Sequence, residues 1–277
     1  MSDIERLFGG DRPVPGMRPS GHASAVPFEA DLEAPADAIE VPDRAARAAS
    51  LHDDAETIEP SFAVALLEPL KPGAELRNAL ADPVRAERMR LLRTEILLRH
   101  RTQRGAIAFA LVGADAGEGR SLLAAELALS LAQLNRSTLL LDADMRRPRQ
   151  HALFGTELRD GLAQAIVRGE ATALYGVEGY VALSLMTAGT CPANPIELLS
   201  DGRFESLMDE LRGTYDYIVI DTPPCSSFAD GLVVSTVIGH VLTVHRAPRT
   251  PYKAAREMLR QLASSRADIL GAVLNRF

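Results

Sequence analysis

Residues 106–121 read AIAFALVGADAGEGRS, and the fold of the chain turns on how that stretch is read. Its first seven residues form a short, wholly apolar run, as a strand buried on both faces requires. GADAGEGRS (113–121) follows, and LLAAELALSLAQL (122–134) continues with helical spacing and small apolar residues. Strand, glycine-rich turn and helix is the order of a phosphate-binding loop. Gly117 and Gly119 permit the backbone angles that turn amides toward an anion, and the helix N-terminus at Arg120 and Ser121 adds its dipole. The Ser121 hydroxyl is placed to ligate Mg2+. The pattern G-x-x-x-x-G-K-[ST] is incomplete, with Ala114 in place of the first glycine and Arg120 in place of the lysine. Taken alone, the stretch reads better as a plain glycine-rich strand–helix turn.

The surrounding chain changes that reading. Apolar runs recur at STLLLDAD (137–144), VALSLM (181–186), YDYIVID (215–221), HVLTVH (240–245) and ILGAVLN (269–275). Between them lie the helical patterns RFESLMDELRG, ADGLVVSTVIG and YKAAREMLRQLASS. Ahead of the loop, DPVRAERMRLLRTEILLRH begins with an Asp-Pro start signal and keeps Met89, Leu92, Ile96 and Leu97 on one face. Strands apolar on both faces, alternating with helices, define the α/β class with a mostly parallel sheet covered on both sides, here of the P-loop NTPase type. Ligands of such sheets bind at the carboxyl ends of the strands. The glycine-rich loop, Asp142 with Asp144, and Asp221 all fall there.

Composition assigns the rest. The chain has 277 residues and a net charge of −7, but residues 1–60 hold 13 acidic against 5 basic residues and 7 of the 17 prolines. Such a segment lacks the apolar surface to fold, so residues 1–80 are expected to be a disordered acidic tail before a nucleotide-binding domain at 81–277. SFAVALLEPL (61–70) is its one apolar island, a candidate docking segment. No apolar run approaches the ~20 residues of a membrane span. The N-terminus lacks a signal-peptide pattern, so a cytoplasmic protein is the plain reading. Cys191 and Cys225 are not in a C-x-x-C pair, against a zinc site, and no basic patch suits nucleic acid.

Three elements at strand ends carry the chemistry. YDYIVIDTPP (215–224) ends a strand in Asp221, the form of a Mg2+-assisting carboxylate facing a phosphate loop. LLLDADMRRP (139–148) places Asp142 and Asp144 two apart, on one side of a strand, where they could share a metal or a base role or else cap the turn and pair with Arg146 and Arg147. With the loop, these make a nucleotide site the expected function.

The same residues carry a resemblance. LLLDADMRRP, HALFG, GLAQAIVRGE, TAGTCPANPIELLSD, YDYIVIDTPP, ADGLVV and ILGAVLNR together resemble the bacterial tyrosine kinases of capsule and exopolysaccharide synthesis, over about residues 80–277. The resemblance implies ATP and Mg2+ as cofactors, held by Gly117, Glu118, Gly119, Arg120, Ser121 and Leu122, with Asn275 near the adenine. It implies Ser121, Asp142 and Asp221 at the metal, and Asp142, Asp144 and Arg120 in catalysis. Glu87, Arg90 and Arg93 match that family's E-x-x-R-x-x-R and imply self-assembly into a homo-oligomer; otherwise they are a solvated helix face with i, i+3 pairs. The implied partner is a separate inner-membrane polysaccharide co-polymerase, which would recruit the chain to the inner face of the cytoplasmic membrane; no nucleic acid is implied.

Two departures bear on activity. The family usually ends in a tyrosine-rich tail, whereas the last tyrosine here is Tyr252 and the sequence closes on LNRF. Arg120 keeps the charge of the usual lysine on a planar, bulkier head. A displaced cation should hurt phosphoryl transfer more than binding, because transfer depends on positioning and electrostatics. The sequence therefore leads to a nucleotide-binding regulator or weak kinase of exopolysaccharide export. An active kinase acting on a partner or on Tyr215, Tyr217 or Tyr252 is the second reading. An ATPase switch of the ParA and MinD kind is the third, opposed by Asp115 where those proteins carry a signature lysine.

Overall fold

The computed structural model describes residues 65–100, 105–168 and 173–276. Its elements run β1 (Ala65–Leu70), α1 (Ala74–Ala81), α2 (Pro83–Arg99), β2 (Ile107–Gly113), α3 (Arg120–Ala132), β3 (Thr138–Asp142), α4 (Gln150–Leu153), α5 (Leu162–Arg168) and β4 (Ala173–Val177). Then follow β5 (Tyr180–Met186), α6 (Pro195–Leu199), α7 (Gly202–Thr214), β6 (Tyr217–Asp221), α8 (Asp230–Ile238), β7 (His240–Arg246), α9 (Tyr252–Ser264) and β8 (Asp268–Asn275). The eight strands form one sheet in the order β1-β4-β5-β3-β6-β2-β7-β8. Neighbours are parallel except β4 and β5, so the sheet is mixed but mostly parallel, as expected.

Alternation along the strands sorts the core into two layers. Ala108, Ala110, Val112, Leu139, Leu141, Ile218 and Ile220 face the layer that holds Phe204, Met208, Val234 and Leu262. Phe109, Leu111, Leu140, Val219 and Leu242 face the other, with Leu76, Ile96 and the apolar length of α3. Eleven of the thirteen residues of α3 are buried, so the helix opened by the glycine-rich loop is an internal strut. Small alanines let it lie close to the sheet, and its one acidic residue, Glu126, is paired with Arg85 of α2 at 2.5 and 2.8 Å. Asp82 caps α2 as its Asp-Pro signal predicts, accepting from the amides of Val84 at 2.9 Å and Arg85 at 3.2 Å.

The folded part begins before the boundary expected at residue 81. Residues 65–70 of the candidate docking segment form β1, parallel to β4 in the register Ala65↔Ala173. The Pro69 it contains is tolerated because β1 is an edge strand. Helix α1 follows, with Leu76 fully buried and the Gly73 amide donating to the Leu153 carbonyl at 2.7 Å. Residues 1–64, the acidic tail, lie outside the described residues. No described helix is long and apolar enough to cross a membrane.

Close backbone approach explains one glycine beside the end of β5. A Cβ on Gly161, just before α5, would run into the Thr187 carbonyl, and would stand 2.5 Å from the Gly189 amide nitrogen. Neither backbone can yield, because the Leu162 amide donates to Thr187 O at 2.8 Å. Gly161→Ala is expected to cost about 1–3 kcal/mol, read as a lowered urea midpoint.

Candidate nucleotide site

Five adjacent parallel strands bring their carboxyl ends to one edge. In sheet order, Asp142 closes β3, Asp221 closes β6, Gly113 opens the loop after β2, Arg246 closes β7 and Asn275 closes β8. Asp142 and Asp221 are direct register partners. This is the convergence that separate short motifs predict.

The loop has the expected left-handed glycines, Gly117 at φ 78° and Gly119 at φ 86°, the latter capping α3. It is tied down on two sides. The amides of Cys225 and Ser226, from the segment after β6, donate to the carbonyls of Gly113 at 3.0 Å and Ala114 at 2.9 Å. From the other side Asn275 Nδ2 donates to the Glu118 carbonyl at 2.8 Å. Asn275, expected near a base, thus also fastens the loop. Leu122 packs its side chain on the core, so its amide in the first turn of α3 is what it can offer an anion.

Arg120 is not displayed toward the mouth of the loop. Its side chain is 7% exposed and its Nε donates to the Thr222 carbonyl at 3.1 Å. One terminal nitrogen reaches the Asp115 carbonyl at 2.8 Å and Glu118 Oε2 at 3.2 Å. Glu118 is 2% exposed and takes a further bond from Thr250 Oγ1 at 2.6 Å. The guanidinium meets these acceptors from two separate nitrogens, Nε and a terminal one, which the single nitrogen of an ammonium does not provide. Gly113 leaves room for this pair, since a Cβ there would collide with both side chains. Arg120 is thereby the counter-ion of a buried carboxylate.

The carboxylates behave differently from one another. Asp142, fully buried, accepts from the amides of Asp144 and Arg149, each at 3.1 Å, and Gln150 at 3.0 Å. Burial, then the Asp221 charge, push its pKa well above the usual range despite those bonds. Burial likewise lifts Asp221 to about 6, opposed by hydrogen bonds from Ser121 and Gln150 and by the charge of Arg120. Asp144 is also raised by burial, and its Oδ1 accepts from the Arg147 amide at 2.9 Å. The alternative pairing of these aspartates with the Arg146 side chain is not formed: Arg146 donates to Asp230 at 3.1 Å and stacks over Phe228 at 4.2 Å.

Gln150 is a member of the site that sequence reading misses. Its Nε2 bridges the Ser121 carbonyl at 2.9 Å and Asp221 Oδ2 at 2.8 Å. Asp221 Oδ1 is buried and accepts no hydrogen bond, and the Ser121 hydroxyl lies within reach of the same carboxylate. An orphaned carboxylate oxygen next to a hydroxyl at a phosphate loop suits Mg2+. Among the described residues no group of three or more His, Cys, Asp or Glu encloses an ion.

The three residues that match the family's E-x-x-R-x-x-R divide. Glu87 and Arg90 form an exposed pair at 2.8 Å on α2, whereas Arg93 reaches inward to the Ser130 carbonyl of α3 at 2.5 Å.

Fold and site together define a phosphate-loop α/β protein. The family model described as cellulose biosynthesis protein BcsQ matches residues 107–263. CapB of Staphylococcus aureus, named for tyrosine-protein kinase, is 34% identical over 159 residues, covering 57% of this chain and 70% of CapB. EpsB of Ralstonia solanacearum, similarly named, is 32% identical over 201 residues, which are 72% of this chain but only 27% of EpsB. The crystal structure of the VpsO kinase domain, at 33% identity, superposes with a TM-score of 0.62 over 70% of this chain and 97% of that one. More distantly, cobyrinic acid a,c-diamide synthase of Mycobacterium smegmatis, crystallised with an ATP analogue and magnesium, shares the fold alone at 18% identity and a TM-score of 0.53 over 61% of this chain and 72% of that one. The chain belongs to the bacterial tyrosine-protein kinase family, as a BcsQ-like P-loop domain.

Proposed function

We propose that the chain is an ATP-binding, tyrosine-kinase-like component of exopolysaccharide or capsule biosynthesis and export. In this reading it regulates a separate inner-membrane polysaccharide co-polymerase and is held at the membrane by that partner. The observation that carries nucleotide binding is the orphaned Asp221 oxygen beside Ser121 at the foot of the glycine-rich loop. Loop amides and the α3 N-terminus hold phosphates; Ser121 and Asp221 hold Mg2+, with Asp142 behind them. The ion, when bound, neutralises phosphate charge. Asp144, just past β3 and more exposed than Asp142, is the group that receives a proton from a tyrosine hydroxyl. Transfer is slow, because Arg120 is committed to Glu118 and two carbonyls. Assembly uses the exposed Glu87–Arg90 face of α2.

Equilibrium titration with Mg·ATP tests this reading. Saturable binding that weakens in Asp221→Asn is expected; a folded chain that binds no nucleotide with or without Mg2+ would discard it. Where a tyrosine of this chain is modified, Tyr252 is expected to carry the phosphate, being 72% exposed. Tyr215 is largely buried, and that burial raises its pKa. Phosphopeptide mass spectrometry finding Tyr215 ahead of Tyr252 would contradict this.

A further inference from the structure

Gln150 is fully buried at the start of α4, where its backbone amide donates to Asp142 Oδ2 at 3.0 Å. Its side-chain nitrogen faces two acceptors, the Ser121 carbonyl at 2.9 Å and Asp221 Oδ2 at 2.8 Å, which take both of its N–H groups. The reversed amide would set an oxygen against a carbonyl and a carboxylate, so the network itself decides which end is nitrogen. The other end, Oε1 on the same carbon, is buried without a partner.

A neighbouring oxygen is in the same condition. Asp221 Oδ1 is buried and accepts no hydrogen bond, and it belongs to the carboxylate that Gln150 holds. The two groups cannot satisfy these oxygens between themselves, because both atoms are acceptors. Ser121 brings one hydroxyl to the Asp221 carboxylate, and the Asp142 carboxylate alongside adds only acceptors. Buried acceptors left unmet are costly, and a pair of them on bonded neighbours points to a ligand that carries positive charge and donors together. Hydrated Mg2+ carries both, since it retains several of its waters when protein groups bind it.

Resting on the nucleotide reading above, we propose that Gln150 is a positioning residue for the metal. Its Oε1 accepts a hydrogen bond from a Mg2+-bound water, while its Nε2 turns Asp221 so that Oδ1 is left for the same ion. One amide thus fastens the carboxylate to the first turn of α3 through the Ser121 carbonyl and orients the hydration shell with its remaining oxygen. Groups of this kind, which touch the shell rather than the ion, set metal affinity through orientation.

The test is equilibrium titration with ADP, in Mg2+ and in EDTA, of the full natural chain, Gln150→Met and Gln150→Glu. The ratio of the two affinities reads the metal, because nucleotide contacts that need no ion cancel. Met offers neither a strong acceptor nor a donor. Glu keeps acceptor oxygens for the water but has no N–H for Ser121 and Asp221. Gln150→Met is expected to cut the Mg2+ enhancement about tenfold, with ADP affinity in EDTA close to that of the natural chain. Gln150→Glu is expected to keep the enhancement. A role confined to the Nε2 bridge would move both variants alike, since both lack that nitrogen. Equal losses in the two, or an enhancement kept in Gln150→Met, would therefore overturn the proposal and leave the nucleotide site standing. ADP binding by the natural chain with no Mg2+ enhancement would do the same. No nucleotide binding by the folded natural chain would remove the site and the proposal together. Circular dichroism identifies a variant that does not fold, and the other then decides alone: the enhancement must be lost in Met or kept in Glu.

Discussion

Arg120→Ala is expected to destabilise the protein by about 3–5 kcal/mol, the cost of leaving one member of a buried ion pair without its partner. The magnitude follows from burial on both sides, with Arg120 7% and Glu118 2% exposed. Thr250 still donates to Glu118 in the variant, but a single hydroxyl does not offset a full charge out of water. The carbonyls of Thr222 and Asp115 lose their donor as well. For a folded part of this size the loss corresponds to roughly 10 °C in Tm. The double variant Glu118→Ala/Arg120→Ala removes the orphaned charge and should recover much of the stability. Urea denaturation of the two singles and the double forms the cycle. Additive losses would show that Arg120 is not the counter-ion of Glu118. Arg120→Lys tests the shape argument: it keeps the charge, yet should be less stable than the natural chain, since one nitrogen cannot stand at both the Nε and the terminal-nitrogen positions that these acceptors face.

Asp221→Asn is expected to act in the opposite direction on stability. Burial holds the Asp221 pKa at about 6 against an ordinary 3.8, so ionising it in the folded chain costs about 3 kcal/mol. The sign follows from proton counting. Between pH 4 and 6 the folded state holds the proton that the unfolded state has released. Stability from this group is therefore fully present below about pH 4, falls as pH rises to 6, and stays low above. Asn removes the burden, and its amide oxygen can accept the Gln150 Nε2 bond that Asp221 Oδ2 takes, so Gln150 also keeps its bond to the Ser121 carbonyl. A gain of about 1–3 kcal/mol at pH 7.5 without Mg2+ is expected, together with a flatter pH dependence. Asp142, raised by the same burial and by the Asp221 charge, retains part of the slope. Mg·ATP affinity should fall in the same variant, a trade of stability against function. Denaturation midpoints at pH 4.5, 6 and 7.5 decide. A variant less stable than the natural chain at pH 7.5 would refute the assigned burden.

Much of the architecture is legible from short-range pattern. Apolar runs at 107–113, 138–142, 217–221 and 240–246 are strands because a parallel sheet covered on both sides tolerates few polar residues. The carboxylates at their ends follow from the same geometry. The segment at 65–70 misled, because a proline within six residues and an acidic preceding stretch resemble a linker. What makes it a strand is an edge position beside β4, supplied by residues about a hundred positions away.

By itself the sequence determined the α/β class, the order of strand, loop and helix, and the placing of Asp142, Asp221 and Ser121 at one edge. Those features depend on periodicity and on residues near one another in the chain, and local backbone physics reads both. Only the tertiary structure decided how the charges are spent. Arg120 meets Thr222, 102 residues on, Arg246 meets Gly117 across 129 residues, and Arg93 turns inward from α2 to Ser130. An arginine's partner is whatever acceptor the fold brings within about 3 Å, and spacing along the chain carries no information about that distance.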